Sequence, residues 1–271
     1  MHSTLAAAAA PATAPLDAPA QAPRSTRREE SDGDAAGNRL LALLLALAPA
    51  GALAGLERVA LPAGRVLLQR GRPVTQVWFP DDALVSALGV LRNGASLEVA
   101  LVGAEGLVGW EACLGPLPAA HDAMVQVPGG AWRLPAAALA ALCRRLPALQ
   151  EAVMHASLAL LAQAGQIAAC NRHHCMEQQV SRWLLTASER LQGPELPMTQ
   201  ERLSALLGVR REGVTECARR LQAGGLIRYA RGRIRVLDAA GLAARACECH
   251  GVLRGARLQL HGALERLAGA R

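Results

Sequence analysis

The side chains best equipped for chemistry crowd into one run, GVRREGVTECARR, residues 208–220. Four arginines and two glutamates stand there among small and apolar residues. An arginine offers two parallel N–H donors to the edge of a guanine, and a glutamate can accept from a cytosine amino group. On a helix, Val214, Cys217, Ala218 and Leu221 fall in one arc of about 100°, and Arg211, Glu212, Thr215, Glu216 and Arg219 fall in a separate one. One face packs and the other is free to meet a partner. The chemistry this favours is recognition of a nucleic acid.

Two further groups could ligate or react. CNRHHC holds Cys170, His173, His174 and Cys175, and CECH holds Cys247, Cys249 and His250. Cys170, His173 and His174 share a helix face, but neither group has zinc-finger spacing. They are expected to be core or solvated residues, with no metal site and no cofactor. Two alternatives stay open: a redox- or metal-responsive switch through Cys170, His174 and Cys175, and an interchain disulfide at Cys170. No glycine-rich phosphate loop and no paired nucleophile and base occur, so an enzyme is not expected.

The elements around the arginine run decide what it can do. Thr199 suits an N-cap, with Gln200 and Glu201 in the first turn. Leu203, Leu206 and Leu207 form a stripe, and Gly208 ends that helix. A second helix follows from about Arg210 to Ala223. Apolar Leu203, Leu207, Val209 and Val214, small Ser204 and the turn glycine have helix-turn-helix spacing. LIRYARGRIRVL, residues 226–237, then alternates apolar and basic residues around Arg231-Gly232, the pattern of a wing. The expected base readers are Arg211, Glu212, Thr215 and Glu216. The expected phosphate contacts are Thr199, Gln200, Arg210, Arg219, Arg220, Arg231 and Arg233.

Charge supports this assignment. The chain carries a net +7, and all 29 basic residues are arginine. Residues 176–271 hold 16 Arg against 9 Asp and Glu, so the excess lies entirely in that part. With a single Phe and a single Tyr, stacking on bare bases is a poor mechanism. Double-stranded DNA is the expected partner.

Upstream, the period changes twice. Residues 1–38, rich in Ala, Pro, Ser and charge, read as a disordered tail. Residues 39–146 begin with a short apolar helix stopped by Pro49. Short apolar runs between turn residues follow, with a hairpin at Asn93-Gly94, as in an antiparallel sandwich or roll. Residues 147–175 form a long helix. A seven-residue seam of Leu149, Val153, Ala156, Leu160, Gln163, Ile167, Cys170 and His174 suggests pairing with a second copy. Packing of that face on its own roll is the alternative. Residues 176–255 form the DNA-binding part, and 256–271 a terminal tail or helix. Seven cysteines without framework spacing fit a reducing compartment. No signal peptide is visible, and the uncharged run 40–56 is too broken to span a bilayer. A cytoplasmic protein without membrane contact is expected.

A sandwich-like domain, a long helix and a winged helix together resemble the Crp/Fnr family of bacterial transcription regulators. MTQERLSALLGVRREGVTECARRLQAGGLIRY and CNRHHCMEQQVSRWLL carry the resemblance most sharply. It implies an α+β chain: a jelly-roll-like β-roll of the cyclic-nucleotide-binding kind, a dimerisation helix and a winged helix-turn-helix. It also implies a homodimer on a near-palindromic operator, with RNA polymerase as a further partner. Arg211 and Glu212 match the family's Arg-Glu pair, whereas Glu216 stands where better-known members carry an arginine. Glu216 is therefore expected either to accept from a base or to brace Arg219 or Arg220.

Members that bind a cyclic nucleotide use a Gly-Glu pair and then an arginine for the phosphate. Here Gly109 is followed by Trp110, Glu111 comes one place late, and no Arg or Lys occurs between Arg92 and Arg133. Cyclic AMP is not expected to bind, and the effector stays unassigned. No cysteine precedes Cys113, so the family's N-terminal iron–sulfur arrangement is not supported. Haem-binding members need an axial His or Cys. Cys113 and His121 lie in the roll, where an isolated His is more often structural or exposed.

Overall fold

A computed structural model describes residues 37–49 and 51–269. The tail expected over 1–38 lies outside the described residues except for Gly37 and Asn38. Asn38 is fully buried. Its side chain accepts from the Leu41 amide at 2.9 Å, capping helix α1 (Arg39–Leu47), and donates to the Pro80 and Gly106 carbonyls at 2.9 and 2.8 Å. One residue thereby starts the helix and ties it to the roll.

Seven strands follow: β1 (Glu57–Leu61), β2 (Val66–Leu68), β3 (Gln76–Pro80), β4 (Leu84–Val90), β5 (Ser96–Val102), β6 (Asp122–Val127) and β7 (Gly129–Pro135). They form two antiparallel sheets, β1-β7-β3 and β2-β6-β4-β5. Val77, Phe79 and Leu134 from one sheet and Val85, Val102 and Val125 from the other are buried. Gly94, at φ +83°, turns the chain between β4 and β5.

Helix α2 (Ala136–Arg145) leads through Pro147, a favourable first helical residue, into α3 (Pro147–His173), 27 residues long. Along α3 the face proposed from the sequence for dimerisation is used inside the chain. Leu149, Val153 and Ala156 join a core with Leu40, Leu44, Leu139 and Leu260. Ile167 and Cys170 are also buried, and Leu160 packs beneath the roll. A different row is free: Met154, Leu158 and Leu161 are 61, 61 and 69% exposed, and Gly165 and Ala168 continue it. This row keeps alternating steps of four and three residues, the spacing of a coiled-coil seam. α3 is also long and apolar enough to cross a membrane by length and composition.

The winged helix is built from α4 (Met176–Leu191), β8 (Glu195–Leu196), α5 (Gln200–Leu207), α6 (Arg211–Ala223), β9 (Ile227–Ala230), β10 (Arg233–Val236) and α7 (Ala239–Arg245). Its three strands pair in the order β8-β10-β9. Leu203, Leu207, Val214, Cys217, Leu221 and Ile234 form its core, which continues into Leu84, Leu88 and Leu101 of the roll. Helix α8 (Cys249–Gly269) then runs back along α3 to α1, where Arg39 Nη1 meets Glu265 Oε1 at 3.3 Å. The boundary expected at 255/256 therefore falls inside a single helix.

Candidate nucleic-acid interface

Thr199 caps α5 by accepting from the Arg202 amide at 3.2 Å, so its oxygen is engaged within the chain. Gly208 closes α5 in the left-handed conformation, φ +65°, and Arg210 precedes the first turn of α6. Val214, Cys217, Ala218 and Leu221 are buried, while Arg211, Glu212, Thr215, Glu216, Arg219 and Arg220 are exposed. Gly213 lies where α6 meets α4, and a Cβ there would lie 2.6 Å from Met176 Cε, so the end of that flexible side chain would have to shift. Thr215 Oγ1 donates to Gln200 Oε1 at 2.8 Å, joining the two helices of the motif.

Glu216 braces rather than stands alone. Arg219 donates to it through Nε and Nη2, both at 3.0 Å, and Arg220 Nη1 at 3.4 Å. The bonds and charge of Arg219 hold the Glu216 carboxyl below its ordinary value. Arg220 also donates to Glu177 of α4 at 3.3 Å. Arg211 has no such carboxylate partner among the described contacts. It is exposed in the first turn of α6.

Beside this helix stands the wing. Arg231 and Gly232, at φ +50° and +73°, make a two-residue turn with both residues left-handed, matched to the twist of β9 and β10. Arg228, Arg231, Arg233 and Arg235 are exposed, and Arg233 Nη1 pairs with Glu195 Oε1 at 2.7 Å. Thus Arg231 is the freer cation at the tip.

Several buried polar contacts, unforeseen in the sequence, dock this module on the roll. Arg190 Nε donates to Glu105 Oε1 at 2.7 Å, with both side chains nearly sealed from water. Burial alone would raise the Glu105 carboxyl, but the charge and hydrogen bond of Arg190 hold it below its ordinary value. Glu98 accepts from Ser86 and, at 3.0 Å, from Trp183 Nε1 of α4. Burial pushes its carboxyl up. Arg202 Nη2 donates to the Val125 and Gln126 carbonyls at 3.0 and 2.8 Å.

Two cavities of different character open in the roll: one of about 230 Å³ is lined by Val66, Gln69, Arg72, Thr75 and Trp78, and the other is small. The space among Val85, Val102, Val108, His121 and Leu160 amounts to about 10 Å³. That is roughly the room for one water. Its lining is apolar apart from His121, whose charged form is disfavoured by burial. A phosphate there would lack a cation. A roomier apolar cleft of about 250 Å³ opens between Trp110, Cys113 and Leu114 and the α3 residues Val153 and Met154.

The two Cys/His groups, apart in sequence, meet in space. Cys170, His174, Cys247 and Cys249 place their ligand atoms within 4.8 Å of one another. Cys175, expected with them, is exposed at the N-cap of α4 instead, and His173 is exposed. His250 turns to Glu189 at 3.0 Å. Burial pushes the Cys170 thiol up against the opposing pull of the Arg182 guanidinium, and pushes Cys247 up to about 12.

A basic helix presented beside an arginine wing, and joined by a long helix to a β-roll, defines a transcription regulator with a DNA-binding module and a sensor-type domain. Residues 178–245 match the Crp-like helix-turn-helix domain, and residues 58–146 match the cyclic nucleotide-binding domain. Among solved structures the chain resembles FixK2 from Bradyrhizobium japonicum, with 15% identity, a TM-score of 0.62, and coverage of 71% of this chain and 98% of that one. A CRP/FNR-family transcriptional regulator from Thermus thermophilus shares 26% identity at a TM-score of 0.56, covering 70% and 98%. The c-di-GMP responsive global regulator CLP from Xanthomonas campestris shares 18% identity at a TM-score of 0.55, covering 69% and 99%. No curated protein matches the chain. The chain belongs to the Crp/Fnr family of transcriptional regulators.

Proposed function

We propose that two copies of the chain bind a near-palindromic operator as a homodimer, each inserting α6 into the major groove. The observation that carries this is the division of α6 into a fully packed face and a face of Arg211, Glu212, Thr215 and Glu216 open to solvent. Arg211 and Glu212 read bases. Arg210, Arg219, Arg220, Arg231 and Arg233 contact phosphates, with Thr199 and Gln200 at the backbone beside them, and set the salt dependence without reading sequence. Glu216 acts by orienting Arg219 and Arg220 as well as by meeting the groove.

The dimer forms along Met154, Leu158, Leu161, Gly165 and Ala168, the apolar row of α3 left uncovered. A second copy on this row would also roof the cleft beside Met154. The regulator works in the cytoplasm, where it meets DNA and RNA polymerase, and catalyses no reaction. Its effector is not cyclic AMP: the space beside His121 has neither the room nor a cation for a phosphate, and Gly109 is followed by Trp110 rather than by a glutamate.

Selection from random duplex DNA tests this reading. It should return a two-fold-symmetric site with half-sites about one helical turn apart. Failure to enrich any site across several salt concentrations would sink it.

A second reading, a metal- or redox-responsive regulator, is favoured by one observation: Cys170 and His174 lie beside Cys247 and Cys249.

A further inference from the structure

Cys170 stands in the last turn of α3, and His174 is the C-cap residue that follows the helix, four positions on. Cys247 lies in the break between α7 and α8, and Cys249 opens α8. Folding brings these pairs together across about 75 positions: Cys170 Sγ lies 3.5 Å from Cys247 Sγ, and Cys249 Sγ lies 3.4 Å from His174 Nδ1. The three cysteines are almost wholly buried and form a cluster of their own. None is in a disulfide.

We propose that Cys170, His174, Cys247 and Cys249 bind one zinc-type divalent cation in a closed tetrahedral site. Three thiols and an imidazole are the soft and borderline donors that zinc takes, and no carboxylate or carbonyl competes among the four. A tetrahedral ion with bonds of about 2.3 Å to sulfur separates those sulfurs by roughly 3.8 Å. The Cys170–Cys247 sulfur edge of 3.5 Å lies within a few tenths of an ångström of that figure, the Cys249 sulfur lies 3.4 Å from His174 Nδ1, and all four ligand atoms stay within 4.8 Å of one another. A cluster of several irons spreads its ligands over several metal centres, so a set confined within 4.8 Å suits a single ion.

The surroundings are those of a ligand set rather than of cysteines used as small apolar filler. His174 turns Nδ1 to the sulfurs and Nε2 to Glu248 Oε1 at 3.2 Å, which fixes the ring and its tautomer. Gln166 Nε2 donates to Cys249 Sγ at 3.0 Å, a bond that stabilises a thiolate. Arg182 of α4 is 2% exposed, its Nε has no hydrogen-bond partner, and its charge acts on Cys170. Binding proceeds by exchange without redox change. The ion enters, three thiol protons leave to solvent, and neutral His174 contributes a lone pair. The product carries one net negative charge, which buried Arg182 offsets.

The ion ties the end of α3, where α4 and the DNA-binding module depart, to the start of α8. This deepens the metal-responsive reading and rests on it, but its first readout is independent of DNA. Full-length protein purified under reducing conditions should contain one zinc per chain. Cys170→Ser and Cys249→Ser, checked for folding by circular dichroism, should lose it, while Cys175→Ser should keep it. Glu248→Gln should weaken affinity about tenfold, as expected for a group that orients a ligand. Cobalt(II) added to chelated protein should give tetrahedral ligand-field bands and thiolate charge-transfer absorption, with three protons released per ion. Chelation should lower the melting temperature of the wild type and leave Cys249→Ser unchanged. Folded, reduced protein that takes up neither zinc nor cobalt at micromolar free ion overturns the proposal. So does metal content indifferent to Cys249→Ser, or iron accompanied by sulfide. Zinc uptake without DNA selection would instead reject the DNA reading alone.

Discussion

Leu161→Glu tests how two chains pair. Leu161 is 69% exposed and Leu158 61% exposed, both on the free row of α3. Fully burying a leucine contributes about 1.5–3 kcal/mol, so the exposed share of Leu161 leaves about 1–2 kcal/mol to be gained on pairing. A two-fold seam uses it twice, and the substitution therefore removes about 2–4 kcal/mol before any cost of burying two carboxylates. At about 1.4 kcal/mol per tenfold, the dimer constant should weaken about thirty- to a thousand-fold. Sedimentation velocity across a dilution series reads this directly: the wild type should sediment as a dimer and Leu161→Glu as a folded monomer. Ala156→Glu is the internal comparison. Ala156 is 3% exposed inside the chain, so a carboxylate there should unfold the protein rather than split a dimer. A Leu161→Glu protein that stays dimeric at wild-type concentrations would refute the seam.

The remaining expectations concern the interface and its support. Arg211→Ala should cost about 1–3 kcal/mol on the best operator and relax base preference at one position per half-site, read by repeating the DNA selection. Arg231→Ala should weaken binding to all sequences alike and lower the salt slope by about 1 per wing, measured by titration at several salt concentrations. Glu105→Gln should destabilise the fold by about 3–5 kcal/mol in denaturant melts, because it leaves Arg190 buried without its charge partner. The folded Glu105 carboxyl sits below its ordinary value, so the pair's contribution is complete above that value and is lost as pH falls through the lowered one. The wild type should therefore lose part of its stability in that acid window, and Glu105→Gln should not show that loss.

The amino-acid sequence alone specifies whatever depends on near neighbours. The two helices around Gly208 and the wing at Arg231-Gly232 are specified by spacing within about forty residues, and they appear as expected. The roll was legible as a class of fold, though not in its strand order. The seam on α3 was not resolved, because an alanine-rich helix lets a seven-residue repeat be drawn on more than one face. Burial by α1, α2 and α8 decides which face is spent. Asn38 looked like the end of a tail because its partners, Pro80 and Gly106, are 42 and 68 positions away. The Cys/His cluster is legible only in halves, Cys170 with His174 and Cys247 with Cys249: neither half has a recognisable spacing, and only the return of the chain at α8 makes them one group.

That return also has a consequence in time. Arg39 and Glu265 are 226 positions apart, and α8 follows every other described element out of the ribosome. The roll and the winged helix can assemble while α8 is still unsynthesised or hidden in the exit tunnel. During that interval α3 lacks one wall of its core and the Cys249 member of the Cys/His cluster. Closing so long a loop comes late in folding. The nascent regulator therefore has α6 before it has the helix that fastens the long one in place.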